Sequence, residues 1–224
     1  MNEKLVAALR RAQGAVACAL FPENVACALC NREAVVGPGG LCDDCRAVLK
    51  RCPPLTAVQP LDGLSAAFVY EGSAANGIHR LKYENRRYVA RFFANALELP
   101  QGWSPECIVP VPLHPRKHWK RGYNQSELIA RFFSERCGVP VDTGLLARTR
   151  NTRSQTNLDA AARRDNVIGA FSASPSAKGR SVLLIDDVTT THSTLNACAS
   201  ALKQAGASRV YALCACAASA EANV

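Results

Sequence analysis

The sequence predicts an α/β protein, a parallel sheet flanked by helices on both faces, with a small cysteine-rich module near its N-terminus. Three observations predict it. Short apolar runs alternate with stretches of helical periodicity beyond residue 63. One such run, Val182-Leu183-Leu184-Ile185, ends in two adjacent carboxylates followed by a row of hydroxyls. Two C-x2-C pairs, Cys27/Cys30 and Cys42/Cys45, stand eleven residues apart. A chain of 224 residues, 48% hydrophobic, has room for one large domain plus a small module and can bury a real core. The expected divisions are an N-terminal helix within residues 1–22, a zinc module over 23–56 and the main domain over 60–218.

Lys4 to Leu20 reads as a helix that packs on the body. Its apolar stretch, Ala15 to Phe21, follows Arg10 and Arg11 and stops at Pro22. It falls short of the ~20 apolar residues of a membrane span and shows no clean small-residue cleavage site. No membrane insertion is therefore expected. The two C-x2-C pairs match a structural zinc site: each makes a tight knuckle, and four thiolates complete a tetrahedron. Gly37, Pro38, Gly39 and Gly40 let the chain turn back between them. Four thiolates leave no open coordination position, so this Zn²⁺ is expected to be structural. A redox C-x-x-C would be single and would open a helix after a strand. The chain has eleven cysteines. Without an export signal, metal binding plus buried thiols accounts for them better than disulfides. Cys18, Cys107, Cys137, Cys198, Cys214 and Cys216 lie on apolar segments and read as core thiols, while Cys52 has no partner at zinc spacing.

Pro53 to Gly63 reads as a linker out of the module. Leu64 to Tyr70 follows as a strand, with helices over Ala74 to Tyr83 and Tyr88 to Leu97. Cys107 to Val111 is a short buried strand, and Gln125 to Cys137 a helix. Val182 to Asp186 is a strand, Ser193 to Ala205 a helix and Arg209 to Cys216 the last strand. Ser172 to Lys178 reads as a surface loop.

Function concentrates where the strand at residue 182 ends. Open α/β sheets bind ligands at the carboxyl ends of their strands, and this end carries Asp186 and Asp187. Hydroxyls and free backbone N–H groups at the next helix start suit a phosphate. Carboxylates beside a phosphate cradle repel their ligand unless it offers hydroxyls. A sugar phosphate does: the acids accept from ribose hydroxyls while the loop holds the 5′-phosphate. Two basic segments accompany this site. Ile108 to Arg116 opens from a strand into a loop stiffened by Pro110-Val111-Pro112 and runs on into Lys117, Lys120 and Arg121. Arg148 to Leu158, with Arg150 and Gln155, is polar and aperiodic; it reads either as a lid over an anionic substrate or as a connector. Between residues 110 and 165 stand eleven Lys/Arg and five Asp/Glu. Charge alone leaves open a solvated basic helix face, the commoner meaning of such a run, but the position after a strand end favours a ligand.

Val182 to Thr194 resembles the phosphoribosyl-diphosphate (PRPP) signature of type I phosphoribosyltransferases: an apolar strand, two acids, two threonines, a glycine and another threonine. Asp186 and Asp187 match the ribose-binding acids, and Thr190, Thr191, Ser193 and Thr194 fall on the 5′-phosphate loop. His192 sits where that family has glycine. It either donates to the phosphate, crowds it, or has no part in binding. The resemblance extends in order through the zinc knuckle, Tyr70-Glu71-Gly72, Leu81-Lys82-Tyr83, Pro110-Val111-Pro112, Arg121-Gly122-Tyr123-Asn124-Gln125, Arg150 to Gln155, Arg163 to Asn166 and the diacid loop. Over residues 20 to 216 it is similar to the ComF family, phosphoribosyltransferase-like proteins linked to natural competence and DNA uptake. From the Pro-Val-Pro loop onward it is also similar to the transferase half of amidophosphoribosyltransferases.

The resemblance implies a type I phosphoribosyltransferase-like parallel sheet with an N-terminal zinc-ribbon-like module. It implies cytoplasmic action on single-stranded DNA, with a DNA-uptake helicase as partner. For the chemistry it implies PRPP with Mg²⁺: Asp186 and Asp187 on the ribose, Pro110, Val111, Lys120 and Arg121 toward the pyrophosphate, and Arg150 and Gln155 from the lid. No base-recognition pattern marks an acceptor, so turnover is left open. The formal charge of +9 favours an acidic partner, and Tyr83, Tyr88, Trp119 and Tyr123 stand among basic residues as stacking candidates, with a core role for each equally open. The alternative is a non-catalytic, zinc-containing protein that binds nucleic acid or senses PRPP.

Overall fold

The computed structural model describes residues 26–34, 36–37, 39–149 and 169–218. The expected N-terminal helix and the lid with Arg150 and Gln155 lie outside them. The elements are α1 (Asp43–Ala47), β1 (Gly63–Val69), α2 (Gly72–Tyr83), α3 (Val89–Ala96), β2 (Cys107–Pro110), α4 (Pro115–Arg121), α5 (Gln125–Cys137), β3 (Leu146–Arg148), β4 (Phe171–Ala173), a 3-10 turn (Pro175–Ala177), β5 (Ser181–Thr189), α6 (Ser193–Gln204) and β6 (Arg209–Ala217).

Four strands form an all-parallel sheet in the order β1-β6-β5-β2. Parallel strands are covered on both faces and so read as continuous apolar runs rather than alternating ones. The alternation survives in where the side chains go. Leu183 and Ile185 of β5 join Ile78, Leu81, Phe93, Ile129 and Phe133 in a core built with α2, α3 and α5. Val182 and Leu184 turn the other way, onto Leu195, Cys198 and Leu202 of α6. Of the expected core thiols, Cys107, Cys198, Cys214 and Cys216 are buried, Cys137 is partly buried, and Cys18 lies outside the described residues.

The cysteine knuckle is not a bead on a linker. Cys27, Leu29, Leu41, Cys42 and Cys45 belong to the same apolar cluster as α2 and α3. Gly77 explains the fit, because a Cβ there would stand 2.4 Å from Leu29 Cδ2. The segment leaving the knuckle also pairs with the β1 edge: the Cys52 N–H donates to the Ala67 carbonyl and the Val69 N–H to that of Lys50. An otherwise open edge strand is thereby covered.

Four elements differ from the sequence reading. β5 does not stop at Asp186 but runs on to Thr189, because Val188 and Thr189 pair with Cys216 and Ala217 of β6. Pro115 to Arg121, read as loop, is helix α4. Pro115 occupies its first turn, the His114 ring accepts from the Arg116 N–H, and Gly122 closes it at φ 79°. β3 and β4 make a short antiparallel pair over the α6 face.

Candidate active site

The register of β2 on β5 builds the site. Pro110 stands beside Ile185, and the Val111 N–H donates to the Ile185 carbonyl at 2.9 Å. The Pro-Val-Pro loop therefore emerges abreast of Asp186. Asn124 locks the corner: its Nδ2 donates to the Val111 carbonyl while its Oδ1 accepts from the Ser126 N–H and caps α5.

Asp186 and Asp187 are 7% and 3% exposed. Strand alternation turns neighbouring side chains to opposite faces, and each acid has its own partner. Asp186 Oδ1 accepts from Ser126 Oγ at 2.9 Å and from the Asp187 N–H at 2.9 Å. Asp187 Oδ2 lies 2.9 Å from the Lys82 ammonium, a buried ion pair. Burial, then the neighbouring Asp187 charge, pushes the Asp186 carboxyl up to about 7. Burial works against a charged Lys82, yet the Asp187 carboxylate outweighs it and holds the ammonium above its ordinary value.

Beyond β5 the chain turns through Thr190 and Thr191 to His192, which caps α6 at φ 58°, ψ 2°. The position keeps the left-handed conformation that glycine serves, here with a histidine, a residue enriched in that region. Thr189 Oγ1 lies 2.8 Å from His192 Nδ1 and pins the ring. Burial lowers the His192 pKa and so favours the neutral imidazole. Thr191 Oγ1 and Ser193 Oγ share a hydrogen bond of 2.7 Å. The opening N–H groups of α6 lack intrahelical acceptors and lie in the same turn.

Cations surround this centre. Lys117 of α4 has its pKa lowered by burial, then by the like charges of Arg148, Arg121 and Lys82, a concentration of positive charge that favours an anion. The Arg121 guanidinium donates to Gln125 Oε1 and lies over the Tyr83 ring, 5.4 Å from its centroid. Lys120 is exposed on α4. The sequence reading assigned no role to Lys82 or Ser126, yet these two touch the acids directly. Lys82 had a signal, a cation in the last turn of a helix whose preceding residue, Leu81, is buried. Ser126 had only its place after the Asn124 cap.

The knuckle residues converge as expected. The Sγ atoms of Cys27, Cys30, Cys42 and Cys45 all lie within 4.8 Å of one another, with Cys30 and Cys42 3.7 Å apart. Zn–S bonds of about 2.3 Å in a tetrahedron place sulfurs about 3.8 Å apart. Four thiols at this spacing fit a zinc ion.

An all-parallel sheet, a buried acid pair on its central strand and a hydroxyl turn opening the next helix define a phosphoribosyltransferase-type fold. Residues 124–223 match the phosphoribosyl transferase domain model. The DNA utilization protein YhgH of Escherichia coli K12 is 30% identical over 217 residues, spanning 85% of this chain and 96% of that protein. Competence protein F of Haemophilus influenzae is 35% identical over 144 residues, 59% of this chain and 63% of that one. The chain belongs to the ComF family. Among solved structures, a glutamine PRPP amidotransferase from B. subtilis is 21% identical with a TM-score of 0.39. The match covers 62% of this chain and 27% of that one.

Proposed function

We propose that the protein binds PRPP with Mg²⁺ at the β5–α6 turn and works in the cytoplasm on single-stranded DNA during natural competence, beside an uptake helicase. The observation that carries the PRPP reading is the buried Asp186–Asp187 pair set between the hydroxyl turn and a crowd of cations. Ribose hydroxyls donate to the two carboxylates. The 5′-phosphate accepts from Thr190, Thr191, Ser193, Thr194 and the opening N–H groups of α6, with His192 Nε2 available beside them. Lys117, Lys120 and Arg121, next to Pro110 and Val111, face the pyrophosphate, and Arg150 and Gln155 close over it. The acids offer oxygen donors only, which suits a hard cation. Mg²⁺ held there would neutralise the leaving pyrophosphate. Departure of pyrophosphate from C1′ builds positive charge on the ribose, which the buried carboxylates stabilise without rearrangement.

Calorimetry of the zinc-loaded protein with PRPP and Mg²⁺ tests this. Binding is expected, and Asp186→Asn/Asp187→Asn is expected to weaken it at least tenfold. A wild-type protein that takes up no PRPP would end the proposal. The same titration carries a pH prediction. Asp186 must lose the proton it holds up to about 7 in order to accept from ribose or metal. Affinity is therefore expected to rise about tenfold from near pH 6 to near pH 8, with proton release. That part of the rise should vanish in Asp186→Asn, which separates it from titration of the ligand's own phosphates.

A further inference from the structure

The geometry points to a stacking site for single-stranded nucleic acid on the outer face of α4, centred on Trp119. This inference rests on the single-stranded DNA reading above and assigns it a place on the molecule. α4, Pro-Arg-Lys-His-Trp-Lys-Arg, has no buried residue and no acid. Its Trp119 is 89% exposed, a large apolar ring held in water. On a helix, positions two apart face nearly opposite ways. Half-buried Lys117 lies on the side of Arg148, Arg121 and Lys82, so Trp119 turns away from these cations. The ring is therefore outside the PRPP site, on the outer wall of its rim, with Arg116 one turn back on the same side.

Arg121, two positions beyond Trp119 and four beyond Lys117, stands on the Lys117 side of α4. Arg121, at the end of α4, lies over Tyr83, itself 64% exposed. Arg87 packs on Tyr123, 4.6 Å from the ring centroid. Tyr123 is thereby buried and withdrawn from the stacking candidates, while its hydroxyl donates to the Leu81 carbonyl and ties the loop to α2. Tyr88, 45% exposed, donates to Asn31 Oδ1 at 2.6 Å, and Asn31 directly follows the ligand Cys30.

An exposed aromatic face among cations matches the chemistry of unpaired bases on a phosphate backbone: the ring stacks on a base and cations follow the phosphates. A duplex hides its base faces, so it cannot use this ring. A lipid surface would need an apolar helix face to bury, and α4 offers one ring among cations.

An oligothymidylate of about twenty nucleotides, labelled for anisotropy, provides the test with the full zinc-loaded chain at several salt concentrations. Wild-type binding that weakens with salt and quenches tryptophan fluorescence is expected. Trp119→Ala is expected to bind at least tenfold more weakly and Trp119→Phe within about threefold of wild type, while PRPP titration of both variants stays unchanged and certifies the fold. Wild-type affinity retained in Trp119→Ala would overturn this surface and leave the DNA reading standing. No binding by the wild type would overturn both.

Discussion

Stripping the metal from the cysteine knuckle is expected to lower the melting temperature of the whole protein by about 10 °C or more. Structural zinc sites in isolated peptides bind with apparent energies of about 10–16 kcal/mol. Only a part of that needs to reach the main domain. For a chain of this size each kcal/mol moves the midpoint by about 2–4 °C, so about 4 kcal/mol suffices. The route for the coupling is packing. Leu29 lies in the same core as Ile78 and Phe93, against the space left by Gly77. Ser73 Oγ donates to the Cys45 carbonyl, and Tyr88 donates to Asn31. Without metal, burial opposes forming four thiolates side by side, and the knuckle opens into that core. Thermal melts with a strong chelator, with Cys45→Ser and with Zn²⁺ restored make the check. An unshifted midpoint in both chelated and variant protein would mean that the cluster carries no structural load.

Much of the fold is legible in the chain because parallel strands announce themselves as short apolar runs. β1, β2, β5 and β6 all stand within a few residues of where the runs place them. What escaped did so for physical reasons. α4 has a cap at each end, His114 before Pro115 and Gly122 after Arg121, but no apolar periodicity, because none of its side chains is buried. β3 and β4 are three residues each and draw their stability from a sheet partner far along the chain. The end of β5 is masked by its own chemistry. Two carboxylates look like the point where an apolar strand meets water, yet both are buried and the strand continues.

The same reasoning separates the visible and hidden parts of the site. Asp186, Asp187 and the hydroxyl turn are contiguous, so their spacing carries the pattern. Ser126 and Lys82 come from α5 and α2, sixty and more than one hundred positions from the acids they meet. No local pattern encodes such a pairing, and a lysine near a helix end ordinarily reads as a solvated charge. His192 is intermediate. Its departure from glycine is plain in the chain, whereas its survival at positive φ depends on Thr189, three residues back.

Lys82→Met is expected to destabilise the unliganded protein by about 3 kcal/mol near neutral pH. Methionine keeps the length and removes the ammonium that contacts Asp187. Breaking a buried ion pair from one side costs about 3–5 kcal/mol, since the remaining charge is stranded. A fifth of the Lys82 side chain meets solvent, which argues for the lower end. Lys82→Met/Asp187→Asn is expected to recover most of the loss, giving a coupling of about 2 kcal/mol in a double-mutant cycle. The pH dependence has a definite sign. The folded protein already favours a proton on Asp186, whose pKa stands above its unfolded value. That contribution to stability is complete below the unfolded pKa near 4 and is lost as pH rises through about 7. Removing Lys82 strengthens the preference for a protonated carboxyl, so the variant's deficit should shrink near pH 5 and reach its full size near pH 8. Urea unfolding of the four proteins at both pH values measures this. A deficit that is the same at both values, or that Asp187→Asn leaves untouched, would show that Lys82 supports the fold through its packing and not through the charge it brings to the acids.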